Sequence, residues 1–254
     1  MILFHSDLDN TLIYSYKHDI GPDKKCVEIY QDKEISFMTT ESFEILKRIQ
    51  SKILFVPTTT RTIEQYRRIR FDIDIPQYAL VCNGGILLKD GMIDLDWYQE
   101  TLNIISDARE EVEKSIGLLE KDENRYFEIR YIEQLFVFTK TSEPTVTIEY
   151  LSSILDKNKV DIFNNGDKIY VIPKELNKGT GILRLKKKLS ANKIIAAGDS
   201  EFDISMLKAS DIGFCPDSLI TECNSKILKY PGEVFTVEML KKIERLIETC
   251  TYNN

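Results

Sequence analysis

Two stretches in which short apolar strands alternate with helical patterns flank a middle stretch of different character, and this arrangement most restricts the fold. In the first 84 residues "MILFHS", "KILFVP" and "YALVCN" read as buried strands. They are separated by the amphipathic helix "TESFEILKRIQS", with Thr40 as its N-cap, and by a second helix, "TIEQYRRIRF". Apolar strands joined through helices specify a parallel sheet covered on both faces. Between the first strand and first helix, "CVEIYQDKEISFM" predicts a hairpin turning near "QDK", a flap at the sheet edge. After "CNGG" the pattern changes. "ILLKDGMIDLD" reads as a hairpin turning at Asp90-Gly91, where a primed turn wants positive φ. A long polar helix follows over "ETLNIISDAREEVEKSIGLLEK". Then come strands "RYFEIRY" and "QLFVFTK", a helix near "PTVTIEYLSSIL", and strands "KVDIFNN" and "DKIYVIP". From "ELNKGTGI" the first pattern returns, through "GTGILRLKKKL", "KIIAAG", "FDISMLKAS", "DIGFC" and the closing helix "TVEMLKKIERLIE". The expected fold class is α/β: a parallel core of residues 1–85 and 173–254, with an α+β unit of residues 86–172 inserted into it.

Charge and composition narrow the function. A net charge of −7 and 30% charged residues argue against a nucleic-acid or anionic-membrane surface. No apolar run approaches the roughly 20 residues needed to span a bilayer, and no basic region precedes the first apolar stretch. Five cysteines (Cys26, Cys82, Cys215, Cys223 and Cys250) are widely spaced without a C-x-x-C, which fits reduced thiols and a cytoplasmic location. Two histidines make a histidine-based metal site a poor expectation, and His5 falls inside the first strand.

In an open parallel sheet, ligands bind beyond the carboxyl ends of the strands. Four polar stretches fall at that edge: "DLDNT" after strand one, "TTTRT" after "ILFVP", "NKGT" opening a helix, and "GDSEFD" after "KIIAA". Asp7 and Asp9 share a strand face, so something positive must offset them. The pairs "DID" at 72–74 and "DLD" at 94–96 have the same spacing without the apolar strand, and read as surface. Thr62 and Gln65 fit a capping box, which leaves Thr58, Thr59 and Thr60 to offer hydroxyls and N–H groups to an anion. Lys178 reads either as a solvated lysine or as the partner of an anion at a helix start, where a lone cation opposes the dipole. Ser200 and Asp203 satisfy an S-x-x-D cap that leaves Asp199 unexplained. Together these carboxylates, hydroxyls and one lysine are the constellation expected of magnesium-dependent phosphoryl transfer.

The four stretches, in this order, resemble the four motifs of the haloacid dehalogenase (HAD) superfamily of phosphatases, in the branch carrying a large α+β cap (type C2) between the second and third motifs. The resemblance spans essentially the whole chain and implies a Rossmann-like core. Thr60 stands where the second motif usually has glycine, and Phe202 where the fourth commonly has asparagine. It implies that Asp7 is the nucleophile, forming an aspartyl-phosphate, and that Asp9 is the general acid and base. Thr59 and Lys178 would bind phosphate. Mg2+ would be held by Asp7, the backbone carbonyl of Asp9 and Asp199, with Asp203 in support. The implied partner is a small phosphomonoester, released by hydrolysis. A phosphomutase and a catalytically idle binding module are the alternatives on the same fold. In the cap, Arg125, Arg130, Tyr131 and Lys168 read either as substrate-selecting or as solvated residues, and Arg61 of the second motif is expected to take part in substrate selection. Gly84 and Gly85 are expected as hinges at one crossing.

Overall fold

A computed structural model of the chain describes residues 1–71, 75–220 and 226–251. The first segment carries β1 (Ile2–Ser6), β2 (Tyr14–Ser15), the hairpin β3 (Lys24–Tyr30) and β4 (Lys33–Thr39), and helix α1 (Thr40–Gln50). It continues through β5 (Leu54–Pro57), the short α2 (Ile63–Tyr66), β6 (Tyr78–Val81), β7 (Ile86–Lys89) and β8 (Met92–Ile93). The middle holds α3 (Leu95–Ile104), α4 (Arg109–Leu119), β9 (Arg130–Ile132), β10 (Phe136–Lys140), α5 (Pro144–Ser152), β11 (Val160–Asn165) and β12 (Lys168–Pro173). The last segment adds α6 (Lys178–Lys188), β13 (Lys193–Ala197), α7 (Ile204–Ala209), β14 (Ile212–Pro216), β15 (Ile227–Tyr230) and α8 (Phe235–Thr251).

Met1–Asp94 and the chain from Asn177 onward form one compact unit, and Leu95–Leu176 forms another. The first is built on a five-stranded sheet in the order β15-β14-β13-β1-β5, parallel throughout. Phe4, Phe55, Ile195 and Phe214 point to one face and pack with Leu46 and Ile49 of α1 and Leu240 and Ile243 of α8. Helices α6 and α7 pack against each other and against β13 on the other face. There the backbones come so close that a Cβ on Gly179 would sit 2.5 Å from the carbonyl oxygen of Ser205. The second unit is a four-stranded sheet in the order β11-β12-β10-β9, antiparallel throughout. Its core gathers Val137, Val160, Ile169 and Val171 with Val112 and Leu119 of α4 and Leu151 of α5.

Several local expectations change. The division falls at Asp94, not after Gly85, because β6, β7 and β8 form their own antiparallel sheet within the first unit. β6 therefore does not continue the parallel sheet beyond a bridge from Leu80 to Thr58. Gly84, at φ 89°, packs near Gly181 at the start of α6, so its glycine character serves a close backbone approach. The N-cap of α1 is Thr39, whose hydroxyl accepts from the Ser42 N–H. The helix expected from Thr62 stops at Tyr66, although its capping box with Gln65 forms. The long polar helix is broken between α3 and α4 by a 3₁₀ turn at Ser106–Ala108. The flap hairpin is as expected in place, with positive φ at Gln31 and Asp32. β15 has no counterpart in the sequence reading. The "DID" of residues 72–74 and Cys223 lie outside the described residues.

The glycine at 179 supports one prediction. Gly179→Ala should force α6 away from α7 and destabilise the protein by about 1–3 kcal/mol. Gly117→Ala, exposed in α4 with open space around its Cβ, should stabilise it by roughly 0.5–1 kcal/mol. Chemical denaturation of the two variants measures both signs.

Candidate active site

The parallel ladder itself assembles the site. Past the strand ends the Asp7 N–H donates to the Ala197 carbonyl at 2.9 Å, and the Thr58 N–H donates to Ser6 at 2.8 Å. The Gly198 N–H donates to Phe214 at 3.1 Å. Consecutive loops thus leave the sheet side by side, bringing Asp7 next to Asp199. Beyond Asp7 the chain turns tightly, the Leu8 carbonyl accepting from the Thr11, Leu12 and Ile13 N–H groups, with Asn10 at φ 59°. Leu8 and Leu12 are fully buried and anchor this turn in the core. Thr11, the last residue of "DLDNT", donates its hydroxyl to Asp199 at 2.8 Å.

Lys178 is the first residue of α6, whose N-terminus is capped by the Asn177 side chain. Its ammonium donates to Asp7 and to Asp203, both at 2.6 Å, and the residue is 1% exposed. Of the two readings of Lys178 the solvated one is thereby removed. Burial alone would lower its pKa, but the charges of Asp203 and Asp7 outweigh that and hold it above the ordinary lysine value. The other oxygen of Asp203 accepts from the Asp199 and Ser200 N–H groups and the Ser200 hydroxyl. Asp203 is therefore cap and lysine partner together.

One carboxylate oxygen from each of Asp7, Asp199 and Asp203 lies within 4.8 Å of the others. Burial, and then the charge of Asp203, push the Asp199 carboxyl up to about 7. Burial also raises Asp7 well above the usual carboxylate range, reinforced by Asp203, Asp199 and Asp9 against the opposing pull of Lys178. A single lysine does not balance these acids, and an all-oxygen donor set of this kind suits a small hard cation. The residues fit a magnesium ion.

Asp9 faces elsewhere. Its carboxylate, outside that trio, accepts from Arg61 through Nε and Nη2, both at 2.7 Å. Arg61 also reaches Glu28, at 2.9 Å from Nη1 and 3.0 Å from Nη2, so the guanidinium expected to select substrate is engaged within the protein. Glu28 is 1% exposed and accepts from Arg68 as well, at 3.1 Å, and from the Ser36 hydroxyl at 2.7 Å. Thr59 is buried; its hydroxyl oxygen accepts from the Arg61 N–H at 3.1 Å, leaving the hydroxyl proton to donate. Thr58 is turned inward onto Val56 and His5.

In the second unit, Arg125 donates to the Leu119 and Phe127 carbonyls. Arg130 pairs with Glu128 and lies 4.9 Å over the Phe127 ring. Tyr131 is partly buried against that unit's core. Asp94, from the other "DLD", pairs with Lys188 at 3.0 Å. Among the described residues, no helix is long and apolar enough to cross a membrane.

With this geometry, comparison with known proteins identifies the class. The family of haloacid dehalogenase-like hydrolases matches residues 92–219, about half of the chain, and the chain belongs to it. It is an enzyme, and of the phosphatase kind within that family. A phosphoglycolate phosphatase of Methanothrix thermoacetophila is 23% identical over 171 residues, 66% of this chain and 71% of its own length. Another, of Methanococcoides burtonii, is 30% identical over 146 residues, 56% of this chain and 59% of its own. Among solved structures, the sucrose-phosphatase of Synechocystis sp. in complex with sucrose and phosphate has a TM-score of 0.62 at 14% identity, covering 96% of this chain and 98% of that one. A haloacid dehalogenase-like hydrolase from B. subtilis has a TM-score of 0.61 at 15% identity, covering 95% and 99%. At these identities the two structures establish the shared fold: a parallel core sheet with an inserted antiparallel-sheet cap.

The raised Asp199 carboxyl carries a sign. Folding takes up a proton between the ordinary carboxylate range and about 7, so this contribution is full at low pH and lost as pH rises through about 7. Asp7 acts in the same direction. In chelator, the melting temperature should fall as pH is raised from about 5 to about 8. Asp199→Asn should flatten that dependence, and Mg2+ should reverse the loss at the upper end.

Proposed function

We propose that this chain is a Mg2+-dependent phosphatase that hydrolyses a small phosphomonoester through an aspartyl-phosphate on Asp7. The observation that carries this reading is the buried ammonium of Lys178 between Asp7 and Asp203, with Asp199 adjacent, at the carboxyl edge of the parallel sheet. Held through one oxygen by Lys178, Asp7 presents the other to phosphorus. Its bond to phosphorus forms as the bond to the leaving oxygen breaks. Asp9 gives that oxygen a proton, then takes one from the water that cleaves the aspartyl-phosphate. Lys178 has three donors and spends two on carboxylates; the third is available to a phosphoryl oxygen. The Thr59 hydroxyl donates to another, so charge is met where it develops. Asp7, the Asp9 carbonyl and Asp199 would hold the metal, with Asp203 in support; when bound it neutralises the carboxylates and the substrate dianion.

Selection of the leaving group is assigned to Leu95–Leu176, the α+β insert, which contains none of these residues; Arg130 and Tyr131 are the first positions to test. The phosphoglycolate phosphatases among the relatives make 2-phosphoglycolate the first substrate to try, ahead of sugar phosphates. The test is phosphate release from a panel of phosphorylated metabolites and one aryl phosphate. Activity should require Mg2+ and disappear with chelator. Asp7→Asn should lose at least about a thousandfold in kcat at unchanged melting temperature, because a nearly isosteric amide is a poor nucleophile. Activity of that variant within tenfold of the wild type would sink the assignment.

A further inference from the structure

We propose that Glu28, on the flap hairpin, is a positioning residue for the Asp9 carboxylate, acting through Arg61. The inference rests on the phosphatase reading above, in which Asp9 carries the proton.

Asp9 is poorly held by its own surroundings, its side chain being 49% exposed. What orients it is one bidentate contact, from a guanidinium only 12% exposed. That guanidinium presents two edges. The Nε and Nη2 edge takes Asp9, and the Nη1 and Nη2 edge takes Glu28. A planar fork held along one edge by a fixed anion has its other edge aimed. Glu28 is such an anion: it is 1% exposed, and Arg68, just past α2, and the Ser36 hydroxyl of β4 hold it. The backbone makes a local exception to bring it there. The β3–β4 register shifts on either side of Glu28, and Val27 and Glu28 are buried in succession where a regular strand would alternate. The four groups, Asp9, Arg61, Glu28 and Arg68, balance in charge, so Glu28 is not a surplus acid.

Arg61 takes one lone-pair position on each Asp9 oxygen and leaves the other for the transferred proton. Glu28 is no catalytic residue in this scheme, since it touches neither substrate nor the reacting atoms. Removing its charge leaves that edge of the Arg61 fork with only the long 3.4 Å bond from Nη1 to the Gln65 carbonyl, which lets the fork turn and the Asp9 carboxylate with it.

The distinguishing measurement uses leaving groups. An alkyl phosphate, such as 2-phosphoglycolate or the best substrate of the panel, releases an alkoxide that must be protonated. p-Nitrophenyl phosphate releases a phenolate that leaves without a proton. Both share Asp7, Lys178 and the metal. Because kcat/KM reports events up to formation of the aspartyl-phosphate, Glu28→Gln should lower it at least about tenfold on the alkyl phosphate, within the range of general acid catalysis. It should leave the aryl value within about threefold, with the alkyl loss in kcat and not in KM. Glu28→Asp, which keeps the charge on a shorter arm, should recover part of the alkyl activity and serves if the amide variant folds poorly. Equal losses on both substrates, or no loss on either in a variant that melts like the wild type, would overturn the inference and leave the phosphatase reading intact. A wild type that hydrolyses neither phosphate overturns both.

Discussion

The buried ammonium of Lys178 is the interaction on which the rest of the candidate site depends. It joins Asp7 to Asp203, and the lysine stands 171 residues from Asp7 in the chain. Two carboxylates in a nearly dry environment repel unless a cation stands between them. Removing the lysine would cost about 3–5 kcal/mol, because the two carboxylates left behind have no compensation, whereas loss of the Asp7 charge still leaves the ammonium its Asp203 partner. The glycines after Lys178 serve the same end. Gly179 and Gly181 allow α6 to approach the Ser205 and Gly84 backbones closely, which sets the depth at which the lysine enters.

Much of this was legible because a parallel sheet imposes one polarity on all its strands. Once "MILFHS", "KILFVP" and "KIIAAG" are read as parallel, the residues after them must converge on a single edge, whatever lies between them in sequence. The capping patterns at Thr62 and Ser200 were equally readable, since each is set by residues three apart. Lys178 illustrates the limit of that kind of reading. Its position opening a helix was evident, whereas its partners follow only from the register that brings β1 alongside β13.

What escaped the sequence reading depends on exceptions to periodicity or on contacts at long range. Glu28 lies in "CVEIY", where alternation would bury one of two adjacent residues; a shift in strand register buries both. Arg61 looked like a residue free to meet substrate, because nothing local reveals that Asp9 and Glu28 occupy both edges of its guanidinium. The unit boundary moved to Asp94 because the hairpin β7–β8 pairs with β6, a tertiary preference that turn chemistry alone does not express. β15 is short and only half buried, and among the described residues it pairs with β14 alone. Such an edge strand has little apolar signature.

The central place of β1 also has a consequence for how the chain acquires its structure. One neighbour, β5, follows after a single helix, but the other, β13, lies beyond the entire second unit. At translation rates of about 5–20 residues per second, the emerging β1 waits roughly ten to forty seconds for that partner. Through that interval one side of an apolar strand keeps its backbone groups unpaired, while Leu95–Leu176, with a core of its own, has what it needs to collapse first. Loop closure of this span is a slow, late event, and Asp7 cannot meet Lys178 before it. In a nascent chain the contact between Asp7 and Lys178 therefore waits for α6, and the open side of β1 is covered only when β13 follows it.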